Sequence, residues 1–249
     1  MPSHLYLSPH LDDAVISCGG LIAQQTAAGE PVSVLTVCAG DAPPGPLSSF
    51  AQELRTRWGE AEGPIASRRA EDRVACGRLD ASVIHLDIPD AVYRRGEGGE
   101  VLYPSEQAVF SLIHPQEADL ALRLTHLLKE AHPTPTRLYC PMAIGGHVDH
   151  RITRRAAERL GQQLWYYQDL PYAARGEHIP PDLGLPSGIE ATLPLSLGEI
   201  DAWTAAVATY RSQLSTFWSD VAALHRELRD FHDAGGGIRM LASEVNDLL

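Results

Sequence analysis

The chain is 249 residues long, enough to bury a full hydrophobic core, and it reads as one α/β domain over 1–249 rather than two small ones. Its 20 Lys and Arg stand against 32 Asp and Glu, a formal net charge of −12 that disfavours nonspecific binding to nucleic acid because phosphates are repelled. There is no run of about 18 apolar residues, so no membrane span is expected, and the opening MPSHLYL lacks the basic start of a secretory signal. Cys18, Cys38, Cys76 and Cys140 are far apart and form no C-x-x-C pair, which argues against a zinc ribbon or redox motif. Reduced thiols in a cytoplasmic protein are the expectation.

Leu5-Tyr6-Leu7 is a short apolar run suited to a buried strand, and Ser8-Pro9 ends it. His10, Asp12 and Asp13 follow at once, just before AVISCGGLIAQQTAAG, whose apolar positions suit a helix packed on a sheet and stopped by Gly29. Pro31–Cys38 is β-branched and predicts a second central strand, parallel to the first, with Asp41 at the same sheet edge as His10. DAPPGPL (41–47) is a proline-rich loop, and Ser48 to about Gly59 predicts a short helix beside the crevice. A stronger helix is predicted over Ile65–Leu79, with Ile65, Val74 and Leu79 as core positions and Arg68 and Glu71 on one face.

Val83–Ile88 predicts a third strand, and Ala91–Pro115, with its RRGEGGE, a loop that is mobile or covers substrate. Leu120–Ala131 is helical by pattern and His132–Pro135 stops it. Leu138–Pro141 predicts another strand, and after a glycine turn His147-Val148-Asp149-His150 leads into a basic-faced helix, Arg151–Gly161. Leu164–Tyr167 is a further strand, with Asp169 beyond its end, and 180–188 is a loop rich in proline and glycine. From Leu197 the pattern is helical to about His232, Gly235-Gly236-Gly237 breaks it, and the last dozen residues fit strand or helix equally.

Two strand ends thus each present His and Asp at a helix entrance, in a fold class whose strand ends face one crevice. Singly these residues have plainer readings: an Asp pair can cap a helix, and histidines three apart can share a solvent face. Together, His10, Asp13 and His150 make a three-ligand zinc set with a fourth position left for water. Asp12 is then a spare carboxylate placed to act as general base, and His147 an imidazole for an oxyanion or a leaving amine. Asp149 is placed to orient an imidazole from behind. The other histidines (His4, His85, His114, His126, His132, His178, His225, His232) have no partner at ligand spacing and read as structural or surface residues.

SPHLDDAVISCGG, AGD, SRRAEDRVACGRLD, HLDIPD, AIGGHVDHR and YYQDLPYA together resemble the PIG-L/LmbE family of zinc-dependent N-deacetylases, from about His4 to Tyr172, with the helical remainder divergent. The resemblance implies a Rossmann-like α/β fold, a mostly parallel sheet with helices on both faces. It implies one Zn2+ held by His10, Asp13 and His150, with other divalent ions possible, Asp12 as general base and His147 as electrophile or general acid. Arg68 matches an arginine that lies near substrate in relatives, and its plainer reading is an intrahelical pair with Glu71. Asp41 and Asp169 are candidate pocket residues, or only loop formers.

The sequence departs from the family where the commonest first motif, His-Pro-Asp-Asp-Glu, is here His10-Leu11-Asp12-Asp13-Ala14. A tyrosine that some relatives carry two residues before the second motif is here Gly145, with Tyr172 and Tyr93 as possible substitutes. The expected activity is removal of an N-acetyl or other N-acyl group from a small molecule containing an amino sugar, with no nucleic-acid partner. Alternatives are an amidase on a larger N-acyl or thiol conjugate, and a catalytically silent metal- or sugar-binding module. A nucleotide-binding Rossmann domain is disfavoured, since G-x-G-x-x-G is missing after the first strand and carboxylates stand where pyrophosphate would sit. Homo-oligomers are compatible with this reading, and substrate choice falls to loops 41–47, 91–115 and 172–188.

Overall fold

The computed structural model describes residues 3–58, 64–131 and 137–243. Gly59, the stop expected at His132–Pro135 and residues 244–249 lie outside that range. In chain order the elements are β1 (His4–Ser8), α1 (Asp13–Ala27), β2 (Val32–Thr36), α2 (Ser49–Arg57), α3 (Pro64–Arg78), β3 (Ser82–His85), α4 (Glu106–Val109) and α5 (Leu120–Ala131). There follow β4 (Arg137–Pro141), α6 (Val148–Glu158), β5 (Leu164–Tyr167), β6 (Gly188–Leu193), α7 (Leu197–Val207), α8 (Arg211–Phe217), α9 (Val221–Gly235) and β7 (Ile238–Ser243).

The seven strands order as β3-β2-β1-β4-β5-β7-β6, with the first five parallel and β7 and β6 antiparallel at one edge. This is the mostly parallel α/β sheet expected. Strand β1 is buried throughout, as a central parallel strand must be when helices cover both faces. Its period-two alternation sends Leu5 and Leu7 into the core under α5 and α6, and Tyr6 into the core under α1 and α7. Tyr6 pairs with Tyr139 of β4 and the two rings stack at 4.1 Å.

Helix α7 seats on α1 through Trp203, which is fully buried and whose indole N–H donates to the carbonyls of Val15 and Ile16 at 2.9 and 3.0 Å. Gly19 and Gly20 make that approach possible, since a Cβ on either would overlap the Trp203 ring or the Leu195 side chain. A third apolar cluster lies beyond the carboxyl ends of the strands. There Ala51 and Trp58 meet Val92, Tyr93, Leu102, Tyr103 and Val109, walling the crevice where the site forms.

Several expectations are corrected. The third strand ends at His85, and Asp87 and Pro89 make only isolated bridges to Cys38 and Gly40. Val74 is 53% exposed, whereas Ile65, Ala75 and Cys76 of α3 and Leu79 just past its end are buried. The stretch from Leu197 is three helices: Tyr210 interrupts it first, and Asp220 restarts it by accepting the Ala223 N–H at 2.7 Å. Residues 188–193, of which only Gly188 is expected as loop and the rest carry no assignment, form edge strand β6, and the described part of the ambiguous C-terminal segment is β7. On the basic face of α6, Arg151 and Arg154 are buried. All four cysteines are buried and unpaired. Among the described residues no helix is long and apolar enough to cross a membrane.

Candidate metal centre

The sheet reverses its winding between β1 and β4, so the loops leaving these adjacent strands open onto one crevice. The first carries His10, Asp12 and Asp13, and the second carries His147, Asp149 and His150. Asp13 Oδ2 accepts the His10 backbone N–H at 2.8 Å and lies 3.1 Å from His10 Nδ1 and 3.2 Å from His150 Nε2. Each imidazole is steadied through its other nitrogen, His10 Nε2 against Asp149 Oδ2 at 3.0 Å and His150 Nδ1 against Asp169 Oδ1 at 2.6 Å. A carboxylate behind each ligating imidazole is the usual support of a metal site, because it fixes ring plane and tautomer.

Electrostatics agree with the geometry. Burial opposes charge on His10 and His150, but the carboxylates of Asp90, Asp13 and Asp149 around the first hold it well above the ordinary histidine range. Asp13 and Asp169 push His150 up to about 10. Burial likewise opposes charge on Asp13, and the imidazoles of His150 and His10 hold its carboxyl well below the usual range. The cluster favours positive charge at its centre, the condition a divalent cation meets, and an N, N, O donor set suits zinc and several other such ions. A second group, His10, His147 and Asp149, also brings ligand atoms within 4.8 Å of one another. In that group Asp149 is committed to Arg94 and the Ala91 N–H, and His147 Nδ1 to the Asp149 N–H at 3.2 Å.

Asp12 opens α1, yet its carboxylate caps no N–H of the helix, and the Ala14 N–H is taken by Ser8 Oγ at 3.0 Å. The carboxylate is buried and faces the crevice, 3.5 Å from Arg68 Nη2. Burial and the neighbouring Asp13 push Asp12 up to about 7. His147 caps α6, and because its Nδ1 accepts a backbone N–H, a neutral ring carries its proton on Nε2. Burial and the nearby His10 hold His147 well below the ordinary range, so neutral is its state at pH 7. His10 and Phe110 meet the His147 ring edge-on, with centroids 4.7 and 5.2 Å away.

Arg68 makes no intrahelical pair with Glu71, which instead accepts the N–H and hydroxyl of Ser212 at 3.0 and 2.6 Å. The Arg68 guanidinium lies over Trp58 at 4.7 Å, and its buried Nε has no partner among the described residues. Asp41 stays outside the crevice, with its side chain 72% exposed and paired to Arg69 at 3.0 Å. Tyr172 packs against Gly145, where a Cβ would stand 3.0 Å from its ring and φ is +82°. It lines the crevice, whereas Tyr93 is buried beside it with its hydroxyl on Arg55. Sequence reasoning missed Asp90, 3.7 Å from His10 Nε2, and the buried Arg94 and Glu117 behind Asp149. The crevice encloses about 760 Å3, with His10, Asp12, Asp13 and His147 at its floor and Phe50, Leu54, Phe110 and Phe217 on its walls.

Residues 5–160 match the protein family described as GlcNAc-PI de-N-acetylase, PIG-L. The chain belongs to the PIG-L family. It is 29% identical over 184 residues to the 2'-N-acetylparomamine deacetylase of Niallia circulans, covering 68% of this chain and 66% of that one. Its fold matches the zinc inhibited form of teicoplanin deacetylase Orf2 at a TM-score of 0.87, with 28% identity over 99% of this PIG-L chain and 100% of the other. The A40926 pseudoaglycone deacetylase Dbv21 matches with a TM-score of 0.75 and 30% identity, over 97% and 96% of the two chains. The chain spans between about half and two thirds of the length of the curated relatives it matches.

Proposed function

We propose that this PIG-L protein is a zinc-dependent amide hydrolase that removes an N-acetyl group from an amino sugar carried on a larger small-molecule glycoside. The observation that carries the reading is Asp12, a buried carboxylate in the same crevice as the donor set, which neither joins that set nor caps its helix. His10, Asp13 and His150 would hold the ion. A bound zinc supplies Lewis acidity at the amide carbonyl and makes water acidic enough to ionise near neutral pH. Asp12 takes the proton of the attacking water as the new C–O bond forms at the carbonyl carbon. The neutral His147 donates Nε2–H to the developing oxyanion, so hydrogen-bond donation rather than acid catalysis is its role. As the C–N bond breaks, Asp12 returns its proton to the departing amine, and acetate and the free amino sugar leave. Arg68 steadies Asp12 through its Nη2 at 3.5 Å.

The substrate class rests on the relatives, whose names specify 2'-N-acetylparomamine, teicoplanin and the A40926 pseudoaglycone. The apolar wall of the crevice also favours a second reading within the same chemistry, an acyl group longer than acetyl. Both are tested by assaying acyl release from N-acetyl and N-octanoyl glucosaminides, with metal content measured on the same samples. Asp12→Asn is expected to keep stoichiometric zinc and to lose about 10²- to 10⁴-fold in turnover. Near-normal turnover in that variant overturns the assignment of the base. Failure of the wild-type protein to take up metal overturns the mechanism.

A further inference from the structure

We propose that Arg94 and Glu117 form a buried clamp that orients the metal-binding imidazole of His10 through Asp149, which makes them positioning residues of the centre. The inference rests on the reading of His10 as a ligand. Arg94 follows the 3₁₀ turn Ala91–Tyr93 and Glu117 ends the 3₁₀ turn Pro115–Glu117, so the clamp joins the two ends of a long loop beneath the site. Arg94 Nε and Nη2 donate to the two carboxylate oxygens of Glu117 at 2.5 and 3.1 Å, a fork-to-fork pair. The remaining Nη1 donates to Asp149 Oδ1 at 2.5 Å and to the Pro89 carbonyl at 3.2 Å. Glu117 is fixed in turn by the Tyr103 hydroxyl, which donates to its Oε2 at 2.7 Å. Asp149 Oδ2 accepts the Ala91 N–H and His10 Nε2–H, both at 3.0 Å.

The need for such a clamp lies in the torsions. The terminal torsions of His and Asp side chains are broad and roughly two-fold, so packing alone does not set the plane of the His10 ring or of the Asp149 carboxylate. Hydrogen bonds set them, and the series must end on something rigid. A bidentate Arg–Glu pair has that rigidity, because its two parallel bonds leave no free rotation. A purely structural account fares worse. A buried ion pair is weak evidence of stabilisation, since apolar side chains of the same volume commonly hold a loop as well. Here all the members of the series are buried, and it runs without a gap to the nitrogen opposite His10 Nδ1.

The test measures zinc affinity by chelator competition, and the visible spectrum of the cobalt-loaded protein, for wild type, Glu117→Gln, Arg94→Met and Arg94→Lys. Circular dichroism fixes the folded fraction of each. Glu117→Gln and Arg94→Met are expected to weaken zinc binding by about 10- to 100-fold and to shift the cobalt bands, as the loss of an outer partner of a metal ligand does. Arg94→Lys, which keeps a cation beside Asp149 without the fork, is expected to recover part of the affinity. Glu117→Gln preserves shape and carries the test if Arg94→Met does not fold. Folded variants that melt earlier but keep wild-type affinity and an unchanged cobalt spectrum would overturn the proposal and leave a structural ion pair. Wild-type protein whose zinc binding is indifferent to His150→Ala would instead remove the metal reading beneath it.

Discussion

At the scale of the residue, the side chain whose role the geometry decides most sharply is His147. The pattern His147-Val148-Asp149-His150 leaves open whether it donates a hydrogen bond or a proton. The Asp149 N–H donates into Nδ1, while burial and the His10 ring disfavour a cationic His147. A ring that is neutral well below pH 7 has no proton to shed as pH rises through the neutral range. Hence His147→Gln is expected to lower turnover by about 10²- to 10³-fold, the usual loss of an oxyanion donor, with zinc content unchanged. The basic limb of the pH–rate profile is expected to survive in that variant. If that limb disappears with His147, the residue is the general acid instead. The proposed ligand set could be named from the sequence because its residues sit at two strand ends with fixed spacing. Arg94 could not, since it lies in RRGEGGE where no periodicity marks a buried charge, and Asp90 and Glu117 flank that loop with no spacing that ties them to the two motifs.

At the scale of the element, the strands that carry the site were readable because buried parallel strands are short, apolar and cleanly bounded. What escaped was structure specified by contacts distant in sequence. Edge strand β6 is largely exposed, and its short alternation of Ile189, Ala191 and Leu193 with Glu190 and Thr192 follows a loop rich in proline and glycine, so pairing with β7 defines it. The three C-terminal helices read as one because their breaks depend on capping at Asp220 and on the packing of Tyr210. Helix α7 matters for the site indirectly: it presses α1, whose first turn bears Asp13, against the sheet. Trp203 is the centre of that contact, and Trp203→Ala is expected to cost about 3–5 kcal/mol of stability. Urea unfolding would measure this as a lowered midpoint. A loss below about 1 kcal/mol, within the range of ordinary surface substitutions, would show that α7 is not what seats α1.

At the scale of the whole molecule, the donor set is divided between the two windings of the sheet. His10 and Asp13 follow β1, from which β2 and β3 lead one way, and His150 follows β4, from which β5 leads the other. An ion held by all three ties the two windings together at the point where they part. An unfolded chain does not hold these residues together over a separation of 137 positions from Asp13 to His150, so an ion held by all three binds the native state almost alone. Zinc at about 1,000 times its dissociation constant then adds about 4 kcal/mol. In a chain of this size that raises the melting temperature by roughly 8–16 °C over the chelated protein. His150→Ala is expected to melt near the chelated wild type and to gain little from added zinc. An equal gain in that variant would mean the ion is held within the first winding alone, by His10 and Asp13 without the second.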